Sequence, residues 1–130
     1  MALPIKNGKI STVYKKPGKH WRATGYHTGV DFAYPTGTPV LAVADGKIEN
    51  ANWGKSYGNQ VVQKVAGGWV IYAHLNAVRC KPGQVVKKGS IVGEVGSTGN
   101  STGPHLHFEM RDNIRWSAGK DIDPKEILAS

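Results

Sequence analysis

Asn59-Gln60-Val61-Val62-Gln63-Lys64-Val65-Ala66 runs into Gly67-Gly68 and continues as Trp69-Val70-Ile71-Tyr72-Ala73-His74-Leu75. Two β-branched and aromatic runs joined by a glycine pair predict a hairpin: Val, Ile, Tyr and Trp suit a pleated surface, and glycine takes the positive φ of a tight turn. Thr38–Ala44, Asp45-Gly46 and Lys47–Asn50 follow the same pattern, and Asp-Gly there predicts a second two-residue hairpin. Pro82-Gly83, Lys88-Gly89 and Gly93 punctuate further short Val- and Ile-rich pieces, so evenly spaced strands are expected through Val95. Only Asp123–Leu128 reads as helical, with Asp123 as N-cap and Pro124 in the first helical position. With 13 Val and 8 Ile against 5 Leu, and 17 Gly, the composition agrees. The expected fold is all-β, mainly antiparallel, a sandwich or barrel with one short C-terminal helix.

At 130 residues the chain has the length of a single domain, and 39% hydrophobic with 20% charged residues excludes a disordered tail. The net charge of +8 favours anionic partners. It is unevenly placed: Lys6, Lys9, Lys15, Lys16, Lys19 and Arg22 all precede the first acidic residue, Asp31. Residues 1–22 therefore read as a basic N-terminal arm, either solvated or used for docking, ahead of a core over 23–130. The aromatic and basic residues form no nucleic-acid-binding motif, and no stretch has the roughly 18 apolar residues needed to span a bilayer. The segment Met1–Gly8 develops no apolar signal region, so the sequence as written is not addressed for export by the usual route. Cys80 is the only cysteine, which excludes an internal disulfide and a Cys-x-x-Cys metal knuckle; any metal must use His and carboxylate.

The five histidines are His20, His27, His74, His105 and His107. In Pro104-His105-Leu106-His107-Phe108-Glu109-Met110 the alternation is strict, with His105, His107 and Glu109 on one face and Leu106, Phe108 and Met110 on the other. The two imidazoles project side by side, their Cα atoms roughly 6.5 to 7 Å apart. That spacing suits one metal ligand and one group acting beside the metal, and parity does not say which is which. In His27-Thr28-Gly29-Val30-Asp31 the outer pair would be about 13 Å apart in a straight strand, so both reach one ion only if the chain bends, which Gly29 permits. His74 ends a hairpin strand on the face of Tyr72 and Val70. One carboxylate and two imidazoles would leave a fourth tetrahedral position for water, as catalytic zinc sites do.

Three segments, His27-Thr28-Gly29-Val30-Asp31-Phe32, Tyr72-Ala73-His74-Leu75 and Gly96-Ser97-Thr98-Gly99-Asn100-Ser101-Thr102-Gly103-Pro104-His105-Leu106-His107-Phe108-Glu109, resemble in order and distance the lysostaphin/LytM-type zinc endopeptidases. The resemblance runs from about Gly25 to Met110. It implies that His27, Asp31 and His107 bind Zn²⁺, that His105 is the general base and that His74 helps stabilise the transition state. It also implies a groove open to the peptide cross-links of bacterial peptidoglycan. The charge of the basic arm suggests anionic wall polymers as its contacts, and a monomer is expected. A small hydrolase without an export signal or wall-binding domain fits a phage lysin, released through a holin-type pore or carried in a virion; an excised domain fits equally.

Four alternatives stand beside this reading. They are a thiol hydrolase built on Cys80, a lipoyl- or biotinyl-carrier turn at Val85–Gly93, a binder of nucleic acid or wall polymer without turnover, and an inactive activator of the same fold. The scissile bond, oligoglycine or D-alanyl-diaminopimelate, would depend on loops such as Asn52–Tyr57 and Ile114–Ser117.

Overall fold

The computed structural model describes residues 1–14, 17, 28–54, 56–99, 101, 103–112 and 121–124. The glycine-joined runs form the predicted hairpin: β4 (Gly58–Val65) and β5 (Gly68–Leu75) pair antiparallel, with Val62 opposite Ile71 and Val65 opposite Gly68. The turn lies one residue earlier than the glycine pair suggests. Ala66 and Gly67 make it, and Gly67 takes φ of 90°.

This hairpin is the middle of a seven-stranded sheet. Strand β3 (Gly46–Gly54) lies beside β4, and β7 (Val85–Val86) lies beyond β3. On the other side β9 (Leu106–Arg111) pairs with β5, and its far edge carries both β1 (Val30–Phe32) and β10 (Asp121–Ile122). A second sheet places β8 (Ile91–Glu94) between β2 (Pro39–Leu41) and β6 (Ala77–Val78). All pairings are antiparallel, and no helix occurs among the described residues. The all-β expectation therefore holds, while the helix expected at Asp123–Leu128 falls from residue 125 onward outside the described residues.

Alternation along β9 divides the large sheet into two chemistries. Leu106, Phe108 and Met110 join Val61, Val70 and Tyr72 in a core shared with Val40 and Val92 of the small sheet. Burying each such side chain contributes about 1.5–3 kcal/mol, so this face holds the two sheets together. His107, Glu109 and Arg111 take the opposite face, where Val62, Ile71 and Ala73 form a second buried cluster under Tyr57 and Trp69. Polar side chains thus lie at the bottom of a covered surface, and every strand residue of β9 is buried.

The Asp45-Gly46 hairpin does not form. Residues 39–41 pair instead with β8, Val40 opposite Gly93, and Gly46 opens β3 opposite Val86. Asp45 accepts the Lys88 amide through Oδ1 at 2.8 Å. Glycine is required at position 46 by proximity rather than by turn conformation, since a Cβ there would stand 1.9 Å from the Lys64 carbonyl oxygen. A local dipeptide pattern cannot register that long-range constraint.

The segment read as a basic arm is, over residues 1–14, packed on the core. Ile5 is buried, with Met1, Leu3, Ile10 and Tyr14 against the same cluster. Its backbone is tied down by Ala2 N–H to Val43 O at 2.8 Å and by Leu41 N–H to Pro4 O at 2.7 Å. The Ile5→Ala variant should therefore lose about 2–5 kcal/mol of unfolding free energy, the range for a truncated core side chain that leaves a cavity. Urea denaturation measures it, and a loss below about 0.5 kcal/mol, typical of surface changes, would show that the segment adds nothing to the core.

Candidate active site

The register of three strands builds the site. Asp31 of β1 pairs with His107 of β9, and His107 pairs on its other side with Ala73 of β5. Directly opposed residues share a face, so the Asp31 carboxylate meets the His107 ring, Oδ1 to Nδ1 at 3.0 Å. The chain leading into Asp31 lies close against β9. A Cβ at Gly29 would stand 2.3 Å from the Phe108 carbonyl oxygen, so only glycine fits at position 29. His27 itself lies outside the described residues, as do His20, the basic side chains at 15, 16, 19 and 22, and Ile114–Ser117.

His105 stands just before β9 and is held by a single bridge to Gly96, through its own amide to Gly96 O at 3.1 Å. Its Nδ1 lies 2.9 Å from the Gly103 carbonyl oxygen, which can only accept; Nδ1 therefore carries a proton and Nε2 is left for other partners. That Nε2 is 3.8 Å from Asp31 Oδ2. Ser101, from the Gly/Ser/Thr run, donates to Gly103 O at 2.8 Å and buttresses the same turn.

His74 does not stay on the face of Tyr72 and Val70. Between Asn59 and Val61 the register slips, so β5 carries an extra residue, and His74 takes φ of +63°. A bulge with a left-handed residue re-aims a side chain. Here it sets the His74 ring 4.8 Å from that of His105 and 6.2 Å from that of His107. Two bonds hold the unusual backbone and ring: His74 N–H to Tyr57 O and Nδ1–H to Thr98 O, each 2.7 Å. Thr98 also donates its hydroxyl to Leu75 O at 2.8 Å, and Gly58 and Gly99 approach so closely that a Cβ on either would stand 2.4 Å from the other's loop. The Gly/Ser/Thr run is thereby clamped to the end of β5, which places His74 and His105 together.

Charge in the site is organised around His107 and Glu109. Burial alone would lower His107, but hydrogen bonds to Asp31 and Glu109, and their charges, outweigh it and hold the imidazole up at about 9. Burial would raise Glu109, yet the bond to His107, the charge of that ring and the Tyr57 and Thr28 hydroxyls hold it down at about 2. His74 is pushed down by burial to about 4, with the Thr98 carbonyl opposing. Burial, then the Glu109 charge, keeps the Tyr57 phenol well above its usual range, so it is a donor. Cys80 is buried, raised by burial to about 11 and 3.6 Å from Val92 O, which leaves it no nucleophilic role.

Of the five residues singled out from the sequence, Asp31, His74, His105 and His107 converge. Among the described residues no three His, Cys, Asp or Glu side chains form a metal-holding group; Asp31 and His107 stand side by side as two side chains of ligating type. A carboxylate oxygen beside an imidazole nitrogen is a donor pair that suits zinc. Sequence reasoning missed Tyr57, Thr28, Thr98 and Arg111. Arg111 was within reach, since the alternation of His105, His107 and Glu109 continues to it, but Tyr57 and Thr28 meet the site only through tertiary folding.

Residues 25–124 match the sequence model of Peptidase family M23. The DD-carboxypeptidase/endopeptidase Mpg of Neisseria meningitidis serogroup B is 45% identical over 108 residues, which are 82% of this chain and 23% of that protein. The chain thus spans about a quarter of the length of such curated relatives. The catalytic domain of the antimicrobial peptidase lysostaphin from Staphylococcus simulans superposes with a TM-score of 0.87 at 38% identity, covering 96% of this chain and 95% of that one. A zinc-containing peptidase from Vibrio cholerae does so with a TM-score of 0.77 at 33% identity, covering 93% of this chain and 37% of that one. With the family match spanning most of the chain and the fold shared with its solved relatives, the protein belongs to peptidase family M23.

Proposed function

We propose that the chain is a zinc metalloendopeptidase that hydrolyses peptide cross-links of bacterial peptidoglycan, acting on the wall outside the cytoplasm. The observation that carries the reading is the convergence of Asp31, His107, His105 and His74 on one face of the sheet, in a family whose relatives include a zinc-containing peptidase, an antimicrobial peptidase and a DD-carboxypeptidase/endopeptidase. His27, Asp31 and His107 would hold the metal. Zinc bound by two imidazoles and a carboxylate supplies a Lewis acid that acidifies water and polarises a scissile carbonyl.

The chain's own residues supply the proton transfers. His105, anchored by Nδ1–H to Gly103 O, accepts the proton of the attacking water at Nε2 while the water oxygen bonds to the carbonyl carbon. His74, anchored by Nδ1–H to Thr98 O, enters neutral because of its burial. Its Nε2 becomes a hydrogen-bond donor to the developing oxyanion once it takes up a proton, and the His105 ring is close enough to share one. As the C–N bond breaks, the protonated imidazole returns its proton to the leaving amine. Trp53, near the end of β3, is 61% exposed.

Digestion of purified peptidoglycan types by the zinc-loaded protein, with mass spectrometry of the fragments, tests activity and bond together. New amine and carboxyl termini at a cross-link are expected, with loss on chelation. His105→Ala should retain stoichiometric zinc and lose about 10²–10⁴-fold in rate, the usual contribution of a positioned acid–base group. Wall binding without any cleavage would replace the enzyme reading with a binding or activating one.

The basic residues are proposed to hold the enzyme on anionic wall polymers. Neutralising Lys15, Lys16 and Lys19 should weaken wall binding at low salt, where screening is slight, and leave zinc content unchanged. Co-sedimentation with walls at rising salt measures this, and unaltered affinity would remove the anchoring role.

In the zinc-free protein the raised His107 contributes stability that is complete below 6.5 and lost as pH rises through about 9. The lowered Glu109 contributes stability that is complete above 4.5 and lost as pH falls towards about 2. The lowered His74 loses stability as pH falls from 6.5 towards about 4, so the Tm of the chelated protein should peak near 6.5 and decline both towards pH 9 and towards pH 4. The zinc-loaded protein, whose ligand imidazoles must be deprotonated, should gain stability as pH rises out of mild acid. Thermal melts of both forms decide it; parallel profiles would show that His107 is not a ligand.

A further inference from the structure

Glu109 has no part in the proton transfers, yet its carboxylate meets four side chains. It is fully buried, two residues beyond His107 on the same face of β9. Its Oε1 receives the Thr28 hydroxyl at 2.7 Å, the Tyr57 hydroxyl in a short bond, and lies 3.0 Å from His107 Nε2. Its Oε2 receives Arg111 Nη1 at 3.0 Å. Tyr57 also lays its ring against His107, with centroids 5.3 Å apart and planes at 39°.

The donor inventory decides what this does to His107. Arginine can only donate, and the two hydroxyls donate here, so the carboxylate of Glu109 is a full acceptor. The ring nitrogen that faces it must carry the proton. His107 therefore has Nε2–H committed to Glu109 on one side, and Nδ1 directed at the Asp31 carboxylate 3.0 Å away on the other. Both oxygens of Glu109 are already engaged, Oε1 by Thr28, Tyr57 and His107 and Oε2 by Arg111. Thr28 follows His27 directly in the chain, so the same carboxylate also ties down the segment that carries the first histidine.

We infer that Glu109 is a positioning residue of the metal centre, accepting Nε2–H of His107 so that Nδ1 is presented beside Asp31, with Thr28, Tyr57 and Arg111 holding the carboxylate in place. This rests on the reading of Asp31 and His107 as metal ligands. A metal-bound imidazole whose other N–H meets a carboxylate is fixed in tautomer and orientation and is made a stronger base; loss of such a partner typically lowers metal affinity about 10–100-fold.

The test uses the whole chain, loaded with zinc and labelled with ¹⁵N. Long-range ¹H–¹⁵N spectra should show His107 protonated at Nε2 in the wild-type protein. Zinc affinity, measured by competition with a chromophoric chelator, should fall about 10–100-fold in Glu109→Leu and by less in Glu109→Gln, which keeps an oxygen acceptor. A proton on Nδ1 of His107 in the zinc-loaded wild type would overturn the inference, and this measurement stands even if Glu109→Leu does not fold. Wild-type affinity in a folded Glu109→Leu would overturn it equally. Failure of the underlying reading looks different: the wild-type protein would take up no zinc, or His107→Ala would keep it stoichiometrically.

Discussion

Strand β9 runs between β1 and β5 in a register that sets Asp31 on one side of His107 and Ala73 on the other, and the rest of the molecule depends on that pairing. A shift of one residue would turn Leu106, Phe108 and Met110 out of the core and His107 and Glu109 into it. Core and site therefore specify each other. The apolar face is bound to the small sheet through Val40 and Val92, so the polar face is confined to the opposite surface. There Ala73, a small residue, leaves room beside His107 for the Tyr57 ring.

The legible parts of this arrangement were those governed by period and local turn chemistry. The alternation in Pro104–Met110 and the hairpin Asn59–Leu75 could be read because each strand of a two-faced sheet records in its own sequence which side is dry. The illegible parts depend on contacts between distant segments. Asp45-Gly46 imitates a hairpin turn, but its glycine answers to Lys64 O across the sheet. His74 has the parity of Tyr72, and only the slipped register opposite Asn59 and its left-handed backbone swing it to the other face. The packing of Ile5 had no periodic signal either, because the segment from Met1 to Tyr14 attaches through single backbone bonds rather than as a long strand.

The family resemblance supplied a ligand set that parity could not. Alternation equates His105 and His107, whereas the fold separates them by position: His107 lies inside β9 with a carboxylate at each nitrogen, and His105 lies before the strand with one nitrogen on a carbonyl. His74 departs from a relaxed strand, with φ of +63°. Its cost, of order 1–3 kcal/mol for a residue in a sparsely populated region, is offset by the Tyr57, Thr98 and Leu75 hydrogen bonds that clamp the loop.

The three described imidazoles of the site differ in what holds them, and the difference suits different work. His74 and His105 each spend Nδ1–H on a neutral backbone carbonyl, from Thr98 and Gly103, which orients the ring. Such a ring can gain and lose a proton at Nε2 within one reaction cycle, as a shuttle must. His107 instead spends Nε2–H on a buried carboxylate that is itself charged and held by three other donors, Thr28, Tyr57 and Arg111. That contact raises the electron density of the whole ring and removes its freedom to turn, which would hinder a shuttle but favours a permanent ligand. On the proposed roles, the neutral anchors would serve the mobile protons and the charged anchor the fixed ligand, and they come from two kinds of segment: the Gly/Ser/Thr run supplies backbone oxygens, and the strand, by its period of two, supplies Glu109.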